Sequence, residues 1–171
     1  ICARSTCWPR CPRVDIERIG SIGHSLGGYN TLFLALFDPR VKVMVSSAGY
    51  NAFADYAASK YSGGDLKNWG IDKHMRRIRT VYGNDPQQVP FDFPELLAAL
   101  APRPVFTSAP LSDDYFDHPG VLRCQAAARP VYELFGHASE LELQSPEARH
   151  DVPDAQRQDA YAFLDRHLRG K

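Results

Sequence analysis

No stretch of this sequence approaches the roughly 20 consecutive apolar residues that a bilayer-spanning helix requires. Runs such as 32–37 and 41–45 are short and bounded by polar residues. Neither sign of charge is in excess: 20 Lys and Arg face 20 Asp and Glu. A chain so balanced has no overall field to gather nucleic acid or an anionic membrane, so the expected partner is a small or neutral molecule. Methionine is scarce, with 2 in the chain, and is not the first residue. The opening residues have neither the apolar run nor the small-residue cleavage pattern of a secretory leader, which leaves the compartment unreadable. Oligomeric state is equally unreadable.

Cysteine is almost absent from the body of the chain: Cys2, Cys7 and Cys11 crowd the start and Cys124 stands alone. The spacing C-x4-C-x3-C, with no fourth ligand nearby, is not one that tetrahedral zinc sites use. No phosphate-loop Lys-Ser/Thr and no G-x-G-x-x-G pattern follows, so no metal and no organic cofactor is expected. The first dozen residues also read differently in another frame. Back-translated with degenerate codons and read from the third base, they permit Leu-Arg-Ala-Ile-Asp-Leu-Leu-Ala-Ser-Leu-Pro, an amphipathic helical pattern. Residues 1–13 are therefore expected to be an out-of-frame or otherwise non-native segment, which sequencing the encoding DNA would decide.

From residue 14 onward the pattern is orderly, and 44% hydrophobic residues can supply one core. Residues 18–23 read as a short buried strand and 26–37 as a helix ended by Asp38-Pro39. Residues 41–46 read as a second strand, parallel to the first across the helix. Residues 49–93 scatter Tyr50, Phe53, Tyr56, Tyr61, Trp69 and Tyr82 among glycines and prolines without one sustained period. They read as an insertion, with a helix near 72–81, followed by another helix at 94–100. A strand at 104–109, a helix at 121–135 that Pro130 should kink or interrupt, a strand at 141–143 and a closing helix at 155–168 complete the chain. Alternating strands and helices predict an α/β class: a mainly parallel sheet flanked by helices, with an irregular insertion after the second strand.

Gly23-His24-Ser25-Leu26-Gly27-Gly28 falls between the first strand and the first helix. That is the setting of the G-x-S-x-G nucleophile elbow, in which a strained turn projects the serine hydroxyl above the sheet. Gly23 and Gly27 are expected to lack side chains so that helix and strand can approach closely. The Leu26 amide, opening the helix, would point at a developing oxyanion. A serine needs a base within hydrogen-bond reach and an acid to orient that base. His150, in a loop between the last strand and the last helix, is the expected base. Asp113, just beyond the third strand, is preferred as the acid, with Asp114 as the alternative. His24 is expected to pack or hydrogen-bond beside the elbow. His24, Tyr50 and Trp69 are also candidates for substrate contact, and Tyr56 could contact an acyl group or sugar. His74, His118, His137 and His167 read as ordinary surface or helix-end histidines.

Taken together, the segments Arg18-Ile-Gly-Ser-Ile-Gly-His-Ser-Leu-Gly-Gly, Ala101-Pro-Arg-Pro-Val-Phe, Ser112-Asp-Asp-Tyr-Phe and His150-Asp-Val-Pro resemble the dienelactone hydrolase and acetyl xylan esterase-like branch of the α/β-hydrolases. The similarity runs from residue 14 to the end. It implies a Ser25, Asp113, His150 triad that hydrolyses a small-molecule carboxylic ester through an acyl-enzyme. Arg149 stands where the branch commonly has glycine, and Ser25 where a dienelactone hydrolase proper has cysteine. The branch also places about four strands and a second oxyanion loop before the elbow, so the chain is expected to be the C-terminal part of such a domain, with impaired activity. Two other readings are a prolyl-oligopeptidase-type peptidase, revealed by cleavage of peptide amides, and a catalytically inactive hydrolase-like fragment, revealed by failure to react with a fluorophosphonate.

Overall fold

The computed structural model describes residues 14–169. The expectation for residues 1–13 and their three cysteines lies outside the described residues. Within them, four strands form one parallel sheet in the order β1-β2-β3-β4: β1 (Ile19–His24), β2 (Val41–Ser47), β3 (Val105–Ser108) and β4 (Leu141–Gln144). Helix α1 (Leu26–Phe37) joins β1 to β2. The segment between β2 and β3 holds short α2 (Phe53–Ala58) and α3 (Arg76–Thr80), then α4 (Phe93–Leu100). Helix α5 (His118–Leu134) joins β3 to β4, and α6 (Asp154–Leu168) closes the chain.

The sheet is buried on both faces, as the apolar character of β2 requires. Successive strand residues point to opposite sides. Met44 and Val105 join the larger core under α1, α4 and α5, whereas Val43, Val45 and Phe106 meet Ala160 and Phe163 of α6. Helices thus cover both faces of the sheet.

Local chemistry explains the boundaries. Asp38 precedes Pro39, which disfavours helical backbone at the residue before it. Its φ of −128° and ψ of 101° end α1 there. Asp92 caps α4, and Glu95 reaches back to the Asp92 amide in a capping box. Of the two outcomes expected at Pro130, a kink or an interruption, the interruption does not occur: α5 runs through it. Pro130 and Ala126, whose carbonyl loses its donor, both lie on the exposed face, where water can replace the missing bond.

The glycine expectation is half corrected. A side chain on Gly23 would sit 2.1 Å from the Gly27 carbonyl oxygen, so Gly23 is required. A side chain on Gly27 would meet nothing within 4 Å. The close helix-to-strand approach belongs instead to Gly28, where a Cβ would lie 2.8 Å from the Gly49 Cα.

Candidate active site

Ser25 occupies the turn between β1 and α1 with φ 54° and ψ −117°, a region that non-glycine residues seldom occupy. It stands at the N-cap, where a serine ordinarily turns its hydroxyl back onto the first helical amides. Here no such cap bond forms. The turn is held by its backbone instead: the Ser25 amide donates to the Ser47 carbonyl at 2.8 Å, and the Ser25 carbonyl accepts from Gly28 at 2.9 Å. The freed Oγ lies 2.8 Å from Nε2 of His150. Leu26 is the first residue of α1, so its amide has no acceptor within the helix and sits at the positive end of the helix dipole.

Two loops at the same edge of the sheet bring the remaining groups together. The amides of Leu111 and Ser112 donate to the carbonyls of Pro146 and Ala148 at 3.1 and 3.0 Å, joining the segment after β3 to the segment after β4. Asp113 and His150 follow immediately on these two segments. His150 Nδ1 lies 3.0 Å from Oδ2 and 3.1 Å from Oδ1 of Asp113. The Asp113 side chain is fully buried, and its Oδ1 also accepts from the amides of Tyr115 at 2.8 Å and Phe116 at 3.2 Å. The imidazole of His150 is walled by the rings of Tyr115 and His24, with centroids 4.5 and 4.8 Å away. Asp114 turns outward and pairs with Arg149 at the surface, away from His150. Serine, histidine and aspartate therefore form one hydrogen-bonded series, with Asp113 and not Asp114 as its third member.

The series opens into a cleft of about 370 Å³, lined beyond Ser25 and His150 by Leu26, Tyr29, Tyr56, Trp69, His74 and Phe116 among others. Burial raises the phenols of Tyr29 and Tyr56 to about 12 in each case, so both remain neutral hydrogen-bonding groups at ordinary pH. Trp69 and Tyr56 reach the cleft wall. Tyr50 does not: it is 1% exposed, stacks on Phe93 and bonds Thr107 and Gln125, so it is a core residue. His24 does not line this cleft either. Its Nδ1 lies 3.2 Å from the Ser47 hydroxyl behind His150, and burial, then the His150 charge, hold its pKa below the usual 6.5. His74, read as an ordinary histidine, does line the cleft, with Nδ1 3.1 Å from the Asn68 carbonyl. Tyr29 was also missed. Its signal was its position four residues after Ser25, on the same helical face.

Residues 8–136, more than half of the chain, match the family model for glucuronyl esterase, fungi. The chain belongs to the glucuronyl esterase family. A 4-O-methyl-glucuronoyl methylesterase of Wolfiporia cocos is 26% identical over 168 residues, a match covering 91% of this chain and 40% of that protein. Among solved structures, a carbohydrate esterase family 15 glucuronoyl esterase from Caldicellulosiruptor kristjansonii aligns with TM-score 0.76 and 27% identity, over 94% of this chain and 45% of that one. The glucuronoyl esterase of Sporotrichum thermophile aligns at TM-score 0.69 and 17% identity, over 98% and 48% respectively. The chain thus spans less than half the length of these relatives. The α/β-hydrolase fold agrees with the expectation from sequence. Within it, the matching family is glucuronyl esterase; the dienelactone hydrolase and acetyl xylan esterase-like branch suggested by the motifs is not the one matched.

Proposed function

We propose that residues 14–171 carry the nucleophile, acid and base of a serine carboxylic ester hydrolase, that residues 49–93 are an insertion walling its cleft, and that the substrate is an ester of a uronic acid. The hydrogen-bonded series from Ser25 through His150 to the buried Asp113 is the observation that carries this reading. Family membership supports the choice of acid.

In the proposed mechanism His150 Nε2 takes the Ser25 proton as Oγ attacks the ester carbonyl. Asp113 fixes the imidazole with its proton on Nδ1 and stabilises the imidazolium that forms. The Leu26 amide faces the developing oxyanion, a role worth about 3 kcal/mol for one donor. His150 then returns the proton to the departing alcohol. Water, deprotonated by the same imidazole, cleaves the acyl-enzyme and releases the uronic acid.

A fluorophosphonate should label the purified protein and fail to label Ser25→Ala. The methyl ester of glucuronic acid should be hydrolysed with release of methanol, at a rate that falls roughly 10⁴-fold or more in Ser25→Ala. Labelling that survives in Ser25→Ala would overturn the assignment.

A further inference from the structure

The proposed base stands outside regular structure. His150 lies in the loop between β4 and α6, and the main-chain bonds that tie this loop to the segment after β3 reach it at Pro146 and Ala148, short of residue 150. The orientation of its ring is therefore set by side chains. Asp113 and Ser25 engage its two nitrogens. Two further rings flank it: Tyr115, with centroids 4.5 Å apart and an interplanar angle of 55°, and His24, at 4.8 Å and 48°.

Of these two flanking rings, His24 is the one built into the sheet. It is the last residue of β1, in register with Ser47, the last of β2. Ser47 is buried and braces the turn twice: its carbonyl accepts from the Ser25 amide at 2.8 Å, and its hydroxyl lies 3.2 Å from His24 Nδ1. The main chain of His150 is itself a hydrogen-bond partner of the His24 ring. One imidazole thus links the end of the sheet to the loop that carries the base. Its charge matters as well. Attack by Ser25 turns His150 into an imidazolium, and a second positive ring 4.8 Å away would oppose that change. The titratable groups that face His24 are His150, Asp113 and Asp151, with Arg157 and Tyr161 of α6 lining the same cavity behind the ring. Burial, then the His150 charge, outweigh the two carboxylates, so His24 is uncharged at neutral pH.

We propose that His24 is a positioning residue for the base: an uncharged imidazole, anchored to β2 through Ser47, that holds the His150 ring in line between Ser25 and Asp113. The role rests on the triad read above. His24 lines no part of the cleft at Ser25, so it acts only through the ring it abuts. Proton transfer from Oγ depends on its 2.8 Å separation from Nε2, and a small displacement of a reacting group costs rate. Loss of His24 therefore falls on kcat and leaves KM in place.

The test compares His24→Ala, which removes the ring, with His24→Phe, which keeps a ring that cannot charge. In His24→Ala, kcat on an aryl ester and the rate of fluorophosphonate labelling should fall roughly 10- to 100-fold with KM within about twofold, and His24→Phe should recover most of the loss. The logarithm of kcat/KM against pH should show a second protonation step below pH 6.5 in the parent that is missing in His24→Phe. The ring is also read without substrate, by proton and nitrogen NMR of the imidazoles. The His150 Nδ1 proton, identified by its loss in Asp113→Asn, should broaden or vanish in His24→Ala and return in His24→Phe. A His24→Ala protein whose labelling rate and Nδ1 signal match the parent's overturns the proposal, as does a loss that His24→Phe does not repair. A parent that takes no fluorophosphonate fails the esterase reading, and the Nδ1 signal still decides whether His24 holds His150.

Discussion

A serine at a helix N-cap usually contributes to its own helix, and at residue 25 that contribution is given up. Its positive φ turns Oγ toward His150, and the cost is offset by the Ser25 and Ser47 backbone bond and by the missing side chain at Gly23. The same economy of contact separates two adjacent carboxylates. Asp113→Asn should reduce kcat on an aryl ester by roughly 10⁴-fold, because the amide stabilises the wrong imidazole tautomer. Asp114→Asn, which removes an exposed ion pair with Arg149, should leave kcat within about twofold. Equal losses in the two variants would remove Asp113 from the proposed triad. Two neighbouring glycines make a similar contrast in stability. Gly28→Ala should cost about 1–3 kcal/mol, since its Cβ meets the Gly49 and Ser47 backbone at 2.8 and 2.9 Å. Gly27→Ala should be neutral or stabilising by up to about 1 kcal/mol, in urea unfolding.

His24 adds a pH dependence at the same scale. Burial first, and the His150 charge second, hold its pKa in the folded chain below 6.5. As pH falls below 6.5 the unfolded chain takes up a proton that the folded chain resists, so this site withdraws stability on acidification and withdraws none above that range. His24→Gln cannot charge. Its unfolding free energy should therefore decline less steeply than that of the parent between pH 7 and pH 5, and identical slopes would show that His24 is not the group responsible.

Elements were legible where one local rule governs them. The period of α1, its stop before Pro39 and the apolar run of β2 are all determined within a few residues, and they lie close to where they were expected. The segment 49–93 was not legible, because its organisation comes from distant partners. Asp92 illustrates this: it caps α4 and at the same time accepts from the Phe53 amide at 2.9 Å, tying α2 to α4 across 39 residues. No periodicity announces such a bond. Nor does it announce that Tyr50 is core while Trp69 reaches the cleft, since both are aromatic residues in irregular chain. Among the site residues, chain order and loop placement singled out Ser25, Asp113 and His150, whereas His74 gave no signal because its position depends on a bond to Asn68. Asp92→Ala should destabilise the protein by about 1–2 kcal/mol, as it removes a helix cap and leaves the Phe53 amide without its acceptor. Asp92→Asn should recover part of the loss in the same denaturant titration.

At the scale of the whole molecule, the two faces of the sheet are unequally anchored. The core under α1, α4 and α5 holds the larger aromatic cluster, whereas α6 is attached mainly through Ala160 and Phe163 against Val43, Val45 and Phe106. Cooperative units with fewer buried apolar contacts open at lower free energy, so α6 should detach before the rest of the sheet unfolds. His150 sits four residues before α6, and its loop is continuous with that helix. Opening of α6 would therefore release His150 from Ser25 while the other core remains intact. Hydrogen exchange in sub-denaturing urea should show α6 amides merging into a low-energy opening ahead of those in α1 and α5, and fluorophosphonate labelling of Ser25 should fall over the same urea range. Phe163→Leu should shift both changes to lower urea by the same amount, with little effect on exchange in α5. If α6 and α5 amides exchange with one common urea dependence, the molecule opens as a single unit and His150 is held by the whole fold, not by its weaker face.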